Sequence, residues 1–435
     1  MKYVEKLYKI INNEKEERIC KGIDKKACNH VPRNYFILLL SSVFIKLGDT
    51  LSNPKTVLTW VMSYVHAPVY LISFIVPIRE SGSMIPQILL SNYIKTKKIR
   101  KWVWILGAFF QFISIALIGM VSLYFEGTEA GWFIILLLIV FSLSRSLSSI
   151  SSKDVLGKTI PKTRRGKLKG YTSSLSGMLV LIAGLFLIYP SNQEQGITFY
   201  SSILFFASSL WLVAAIIYAN IKEFPAQTTE SKNDIQALVT KLKILKTDTI
   251  FRNFIISRSL LLCSALSAPF YVLLAQKYLG NESYLLGLLI IANGVAAIIS
   301  APIWGQMADV SSNKVMMIGA IITSILGLIM FFFISYVPFL RNQYWLYPMA
   351  FFILGIAHSG VRLGRKTYII DMAKDNKRTD YVAISNTLIG IILLITGGIS
   401  ALASIISIEG VILVLSLLGL FGANKAARLP NVQKR

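Results

Sequence analysis

Twelve apolar segments, each long enough to cross a lipid bilayer, follow one another along the chain and limit what it can fold into. The segments cover 35–55, 68–92, 102–124, 131–152, 171–190, 198–221, 253–277, 284–307, 315–338, 344–366, 381–403 and 406–424. Charged residues make up only 15% of the sequence, whereas globular proteins carry about 25%. Because spanning segments must satisfy their own backbone polar groups, we expect an all-α polytopic membrane protein.

The basic residues are distributed unevenly between the two sets of loops. With the N-terminus placed in the cytoplasm, 38 of the 45 Lys and Arg residues lie in the termini and the cytoplasmic loops. The opposite loops hold Lys55, Lys277 and Arg341. This asymmetry follows the positive-inside rule, and it predicts an integral protein of the bacterial inner membrane with both termini in the cytoplasm. We expect the basic loops to meet anionic lipid headgroups, and we expect no nucleic-acid partner.

The spacing of apolar residues divides the chain into five parts. Residues 1–34 predict a cytoplasmic amphipathic segment, 35–221 a first six-helix bundle, 222–251 a cytoplasmic linker with a lateral helix, 252–424 a second six-helix bundle, and 425–435 a cytoplasmic tail. In the linker, five apolar residues share one helical face: Ile235, Leu238, Val239, Leu242 and Leu245.

The two halves resemble each other. Arg145 precedes Asp154 by nine residues, as Arg362 precedes Asp371, at an offset of 217. Span 1 carries LSNP (51–54) and span 7 carries LSAP (266–269), at an offset of 215. Two matches at nearly one offset predict parallel repeats of six spans each, an organisation found in a large class of transporters.

The loop GQMADVSSNK (305–314) resembles the signature G-x-x-x-D-x-x-x-(R/K)-(R/K) of the major facilitator superfamily. Gly305, Asp309 and Lys314 match it, whereas Asn313 stands where a basic residue is usual. The resemblance implies that the Gly permits close helix approach and that Asp309 latches the cytoplasmic side. The first-half loop SNYIKTKKIRK (91–101) keeps the basic residues and lacks the Asp.

Two further stretches are similar to motifs of the same family. LSRSLSS (143–149) is similar to its span-4 motif around a membrane Arg, and DVLGKTIPKTRRG (154–166) to the loop that follows, with Asp154 and Arg165. The family resemblance implies twelve transmembrane helices in two pseudo-symmetric six-helix bundles that work by alternating access. The antiporter motif of drug-efflux members is missing from span 5 (171–190).

Ionisable residues lie within the spans, at a cost of about 2.5–3.5 kcal/mol each at the bilayer centre unless they face a polar interior. Span 2, SFIVPIRESGSMIPQILL (73–90), holds two of them beside prolines and a glycine that favour a bend. The candidates for a substrate or proton cavity are Lys46, Asp49, Arg79, Glu80, Arg145, Arg258 and His358. The alternative is that they form structural ion pairs that lock the helices together.

The charges within the spans indicate the class of solute. Four basic residues against two acidic ones favour a small anionic or zwitterionic organic solute, and Asp49 or Glu80 could couple its transport to protons. We expect Glu80 to offset Arg145 or Lys46, which leaves Arg79 for the solute. The alternatives are a neutral solute, an exporter of drugs or siderophores, and a receptor or scaffold that does not transport.

An enzyme is not expected. The three His residues form no nucleophile–base or metal-binding pattern, and the ATP-binding sequence G-x-x-x-x-G-K-[ST] is absent. We therefore expect no metal and no cofactor, and a monomer whose partners are a small-molecule substrate, protons and lipids.

Overall fold

The computed structural model describes residues 2–12, 25–87, 90, 93–94, 96–188, 195–225, 244–372 and 378–434, and these residues form helices and short connections. The helices are Lys2–Asn12, Lys25–Cys28, Val31–Leu51, Val57–Tyr64, Val69–Ile72, Ile75–Met84, Lys101–Tyr124, Gly127–Thr159, Lys162–Ile188, Ile197–Ala219, Ile244–Thr247, Thr249–Leu260, Cys263–Leu266, Ala268–Leu279, Ser283–Tyr336, Pro338–Arg341, Leu346–Met372, Arg378–Ile406 and Ile408–Ala427. Ten helical stretches of this part are long and apolar enough to cross a membrane. The predicted fold class is confirmed.

The helix Ser283–Tyr336 contains two spans. Ser311 interrupts it with non-helical torsions (φ −165°, ψ 93°), so residues 283–310 form span 8 and residues 312–336 form span 9. Counted separately, they bring the described residues to eleven such stretches. The remaining predicted span, span 2, is broken into Val69–Ile72 and Ile75–Met84. Large apolar side chains are exposed on the outward faces, among them Phe110 and Phe421, as expected for surfaces that meet lipid.

Span 1 is longer than the sequence predicted. The helix Val31–Leu51 ends in a short turn and continues as Val57–Tyr64, whose residues 57–62 are all buried. Lys55 lies in the turn, so its predicted place in an outer loop is wrong. Pro54 cannot donate a backbone hydrogen bond, so the helix breaks there. The polar residues around it lower the local hydropathy, and the sequence therefore predicts the end of the span at this point.

Span 7 is broken at the matching place. It consists of Thr249–Leu260, Cys263–Leu266 and Ala268–Leu279, and the last break falls in LSAP. Ser52 Oγ donates to Gly48 O at 2.9 Å, and the repeat-equivalent Ser267 Oγ donates to Cys263 O at 2.7 Å. The repeat read from the sequence therefore marks two helix breaks with the same local hydrogen bonding.

The two ends of the helix assembly differ in how tightly they close. We call the end that carries Lys2–Asn12 and residues 428–434 the terminus side, and the opposite end the far side. On the far side the halves contact each other, because Gln276 Nε2 donates to Trp60 O at 3.3 Å and Tyr200 OH to Asn281 O at 2.5 Å. The neighbouring residues 268–276 are all buried.

Both terminal segments dock on the bundle. Tyr8 is buried, with its ring 5.3 Å from that of Tyr35 and edge-on to it, whereas Leu7 and Ile10 of the same helix are exposed. Residues 2–12 therefore form a helix with one side packed on the bundle, and the cytoplasmic place of the segment 1–34 stays a prediction. The predicted apolar face of the linker, except Leu245, lies outside the described residues.

Candidate functional site

A cavity of about 580 Å³ lies between the two halves, a volume in the range of small-molecule sites. It is lined by residues of spans 1, 2, 4, 7, 8, 10 and 11. Its exposed lining residues Arg362 and Lys366 lie towards the terminus side, whereas the far side is closed by the buried residues 57–62 and 268–276. The cavity is therefore accessible from the terminus side.

The charged residues that line the cavity are mostly basic. The basic ones are Lys55, Arg79, Arg145, Arg362, Arg365 and Lys366, and the acidic ones are Asp49 and Glu80. The excess is four positive charges, twice the excess that the sequence indicated. The excess is larger by two because four further basic residues line the cavity, Lys55, Arg362, Arg365 and Lys366, whereas Lys46 and Arg258 do not.

Asp49 binds two arginines on the cavity wall that the first half of the chain forms. Its Oδ1 accepts from Arg79 Nη2 at 3.4 Å, and its Oδ2 accepts a short bond from Arg145 Nη2. The Arg79 guanidinium also lies 4.5 Å from the ring centroid of Phe141, a cation–π distance. The expectation that Arg79 remains free for the solute is therefore wrong in this state, because it shares Asp49.

Arg145 is held in place by a buried amide. Arg145 Nη1 donates to Gln111 Oε1 at 3.4 Å, and Gln111 Nε2 donates to Ser148 Oγ at 2.9 Å and to Gly107 O at 3.0 Å. Gln111 is only 1% exposed. Its network fixes the guanidinium that reaches Asp49. This role could not be predicted from the sequence, because Gln111 lies in an ordinary apolar run.

A second set of contacts joins the halves across the cavity. Lys55 Nζ lies 3.1 Å from His358 Nε2, and Ser264 Oγ lies 3.3 Å from His358 Nδ1. Spans 1, 7 and 10 thus meet at one imidazole. His358 was a candidate from the sequence, and Lys55 was missed.

Glu80 lines the cavity close to several cations. Among the described residues it forms no ion pair within 4 Å, although Lys55, Arg79, Arg362 and Arg365 act on it electrostatically. The predicted pairing with Arg145 or Lys46 is wrong, because Arg145 binds Asp49.

Two predicted residues lie away from the cavity lining. Lys46 Nζ donates to Ser173 Oγ of span 5 at 2.8 Å, so it does not pair with Asp49. Arg258 is 6% exposed and donates to Ser385 Oγ at 2.5 Å and Asn386 Oδ1 at 3.1 Å. Arg258 therefore joins span 7 to span 11 and does not snorkel to the surface.

The first-half gate residues form contacts within their own half. Asp154 pairs with Arg100 at 2.5 Å and with Lys158 at 2.9 Å. Arg165 donates to the carbonyls of Ile160 at 2.9 Å and Gly157 at 2.6 Å. Arg165 thus satisfies carbonyls at the end of the helix Gly127–Thr159, which lack intrahelical donors.

The second-half gate residues are mostly open to solvent. Asp309, Lys314 and Arg362 are exposed, and a Cβ built on Gly305 would meet no atom within 4 Å. The close helix approach implied for this glycine is therefore absent in this state. Asp371 Oδ2 instead accepts from Gln433 Nε2 of the C-terminal segment at 2.8 Å.

The comparison with protein families agrees with this architecture. Residues 254–430 match the family model described as Major Facilitator Superfamily. No curated protein matches the sequence.

Three solved structures share the fold. A D-xylose-proton symporter has a TM-score of 0.69 at 15% identity, over 92% of this chain and 99% of that one. A mutant of the nucleoside transporter NupG has a TM-score of 0.66 at 14% identity, over 91% and 99% of the two chains. The xylose transporter XylE from E. coli, in an inward-open conformation, has a TM-score of 0.64 at 13% identity, over 91% and 96%.

Proposed function

We propose that this chain is a member of the major facilitator superfamily, whose model matches residues 254–430, and a secondary transporter that moves a small organic anion by alternating access. The site supports this because its cavity lies between two halves that are related by a repeat, as in transporters that rock about a central site. In this state the contacts of Gln276 and Tyr200 close the far side of the cavity. Transport requires that these contacts break and that the terminus side closes.

The anionic nature of the solute rests on one observation, the excess of four positive charges in the cavity lining. A cavity with low-dielectric walls and one sign of charge concentrates ligands of the opposite charge. The xylose and nucleoside transporters share the fold at 13–15% identity, and their solutes do not transfer to this chain.

We propose proton coupling through the cavity carboxylates. Asp49 is held by two guanidinium groups, whereas Glu80 forms no ion pair within the described part of the chain. Glu80 is therefore the better candidate to exchange a proton with the solvent during the cycle. One solved structure with this fold is that of a D-xylose-proton symporter, which agrees with a proton-coupled mechanism.

We propose that the terminus side faces the cytoplasm of a bacterial inner membrane, because the positive-inside rule places it there. In this orientation the structure is inward-open. The Asp309 latch of the sequence prediction would then form only when the cytoplasmic side closes.

Uptake into proteoliposomes tests the function. Radiolabelled succinate, benzoate, a phosphate monoester, glycine betaine, xylose and uridine are supplied with and without an inward proton gradient. We expect saturable uptake of one or more anions, increased by the gradient, and no uptake of xylose or uridine. Arg252→Gln, an exposed charge change outside the cavity, is the matched control. Uptake of only neutral solutes would contradict the proposal.

A further inference from the structure

We propose that Arg362, Arg365 and Lys366 form a subsite for a dianionic group, such as a phosphate monoester or a dicarboxylate, within the central cavity. This inference rests on the proposed transport function and names the class of solute. The three residues are spaced i, i+3 and i+4 in the helix Leu346–Met372, so they project from one face. All three line the cavity.

The subsite lies on the terminus side of the contacts around His358. From His358 to Lys366 the helix rises by about 12 Å. His358, Ser359 and Leu354 continue the same lining stripe towards the cavity centre. A solute that binds the basic cluster therefore has room to extend towards the imidazole and Lys55.

In the described part of the chain, the basic cluster has no counterpart of the ion pairs on the opposite wall. Arg79 and Arg145 share Asp49, which leaves that wall with one excess charge. Within the described residues Arg362, Arg365 and Lys366 form no ion pair, and Arg365 Nε is buried without an acceptor. A monoanion would leave two of their three charges uncompensated. A dianion would leave one, as on the opposite wall.

Basic residues near a membrane surface can simply be hydrated, and this accounts for the exposed Arg362 and Lys366. It does not account for Arg365, whose Nε–H donor is shielded from solvent. A guanidinium presents a rigid fork of donors that matches two oxygens of a phosphate or carboxylate. The orphaned donor at the cavity wall therefore points to an oxyanion ligand.

The carboxylate of Glu80 is a negative charge of the protein itself near this subsite. Lys55, Arg79, Arg362 and Arg365 act on its carboxylate, so the same cations attract the solute and Glu80. A bound dianion would be repelled by the ionised carboxylate. Glu80→Gln should therefore tighten the binding of the dianion, whereas Arg365→Gln should weaken it.

The test uses two probes of equal size and different charge. At pH 8 phenyl phosphate is a dianion, because its second pKa is about 6, whereas phenyl sulfate is a monoanion. Calorimetric titration of the purified full-length protein should show phenyl phosphate binding about ten-fold tighter or more, as expected for one charge-assisted contact. Succinate and benzoate give the same comparison for carboxylates, and they show which dianionic group the subsite prefers.

Two variants test whether the basic cluster causes the preference for the dianion. Arg365→Gln should abolish most of the preference for the dianion, and Arg252→Gln should keep it. If Arg365→Gln does not fold, the exposed Lys366→Gln replaces it and should weaken phenyl phosphate binding several-fold. Equal binding of phosphate and sulfate, with anion uptake intact, would overturn the subsite and leave the proposed transport of anions standing. Uptake of only neutral solutes would overturn both.

Discussion

Lys55 Nζ lies 3.1 Å from His358 Nε2, so a residue of span 1 contacts a residue of span 10 across the cavity. An ammonium group has donors and no acceptor, so Nε2 must accept and the ring is neutral with its proton on Nδ1. That proton faces Ser264 Oγ at 3.3 Å. The network assigns this tautomer, and it makes His358 a hydrogen-bonded bridge between helices.

The first prediction concerns this bridge. His358→Gln supplies a neutral acceptor and donor in place of the imidazole, so we expect the pH profile of transport to keep its shape. Lys55→Met removes one of the six cavity cations and should weaken anion binding by about ten-fold, an effect of about 1.4 kcal/mol. Lys55→Arg, which keeps the charge, is the control. A shifted pH profile in His358→Gln would instead identify the imidazole as a proton carrier.

The sequence could predict His358 because an ionisable residue within an apolar segment stands out. It could not predict Lys55, since the polar run from Asn53 to Thr56 looks like the end of a span. The helix that resumes at Val57 reveals that this run is a mid-membrane break. The matching motif LSAP in span 7 indicates the break, because the apolar segment of span 7 continues beyond LSAP. By the repeat, span 1 should continue beyond LSNP in the same way.

The second prediction compares the two cavity acids. Asp49→Asn leaves Arg79 and Arg145 without a counter-charge, and removing one partner of a buried pair costs about 3–5 kcal/mol. Because the Asp49 side chain is 22% exposed, we expect the lower end of this range. Glu80→Gln breaks no ion pair of the described residues and should lower the free energy of unfolding by less than half as much.

Melting midpoints of the two variants in the same detergent measure this difference. The two substitutions are matched, since each replaces a carboxylate with an amide in the same cavity. An equal loss of stability would mean that Glu80 has a partner that this state does not show.

The partner of Asp49 could not be predicted from the sequence alone. Lys46 and Asp49 are three residues apart on one helix, which made them an obvious pair. In the structure their helix packs against spans 4 and 5, and each residue turns to a different neighbour, Asp49 to Arg145 and Lys46 to Ser173. Only tertiary packing decides between such partners, although the sequence did predict that Asp49, Arg79, Glu80 and Arg145 meet.

The third prediction uses the two helix breaks. Ser52 and Ser267 are 3% and 4% exposed, and each donates to the carbonyl four residues earlier. Ser52→Ala and Ser267→Ala should each lower the free energy of unfolding by about 0.5–1.5 kcal/mol, the net contribution of one hydrogen bond. The effects should add in the double variant, because the sites share no partner. A large loss in only one variant would show that the two breaks are not equivalent.

The fourth prediction concerns Asp309, which is exposed while the cavity opens to the terminus side. If it latches that side when the cavity closes there, Asp309→Asn should shift the population towards the present state. Cysteine labelling of position 362 should then become faster, and uptake should fall. Asp309→Glu keeps the negative charge at this exposed position and serves as the control. Unchanged labelling and uptake would exclude a latch.

The last prediction concerns the C-terminal segment, which binds the loop between spans 8 and 9. Gln433 Nε2 donates to Asp371 Oδ2 at 2.8 Å and to Ser312 Oγ at 2.7 Å, while its Oε1 accepts from Ser312 N at 3.1 Å. Asn313, which stands where the family motif has a basic residue, donates to Leu429 O at 2.9 Å. Asn313 therefore departs from the motif at a position where its amide binds the C-terminal segment.

Gln433→Ala should release this contact, because it removes three hydrogen bonds, one of them to a carboxylate. We expect faster amide hydrogen exchange at residues 310–314, the sign of local opening, and a loss of about 1–3 kcal/mol of stability. Gln343→Ala, which removes a long bond to Phe339 O on the far side, is the matched control. If exchange at residues 310–314 is the same in both variants, the segment does not hold the loop.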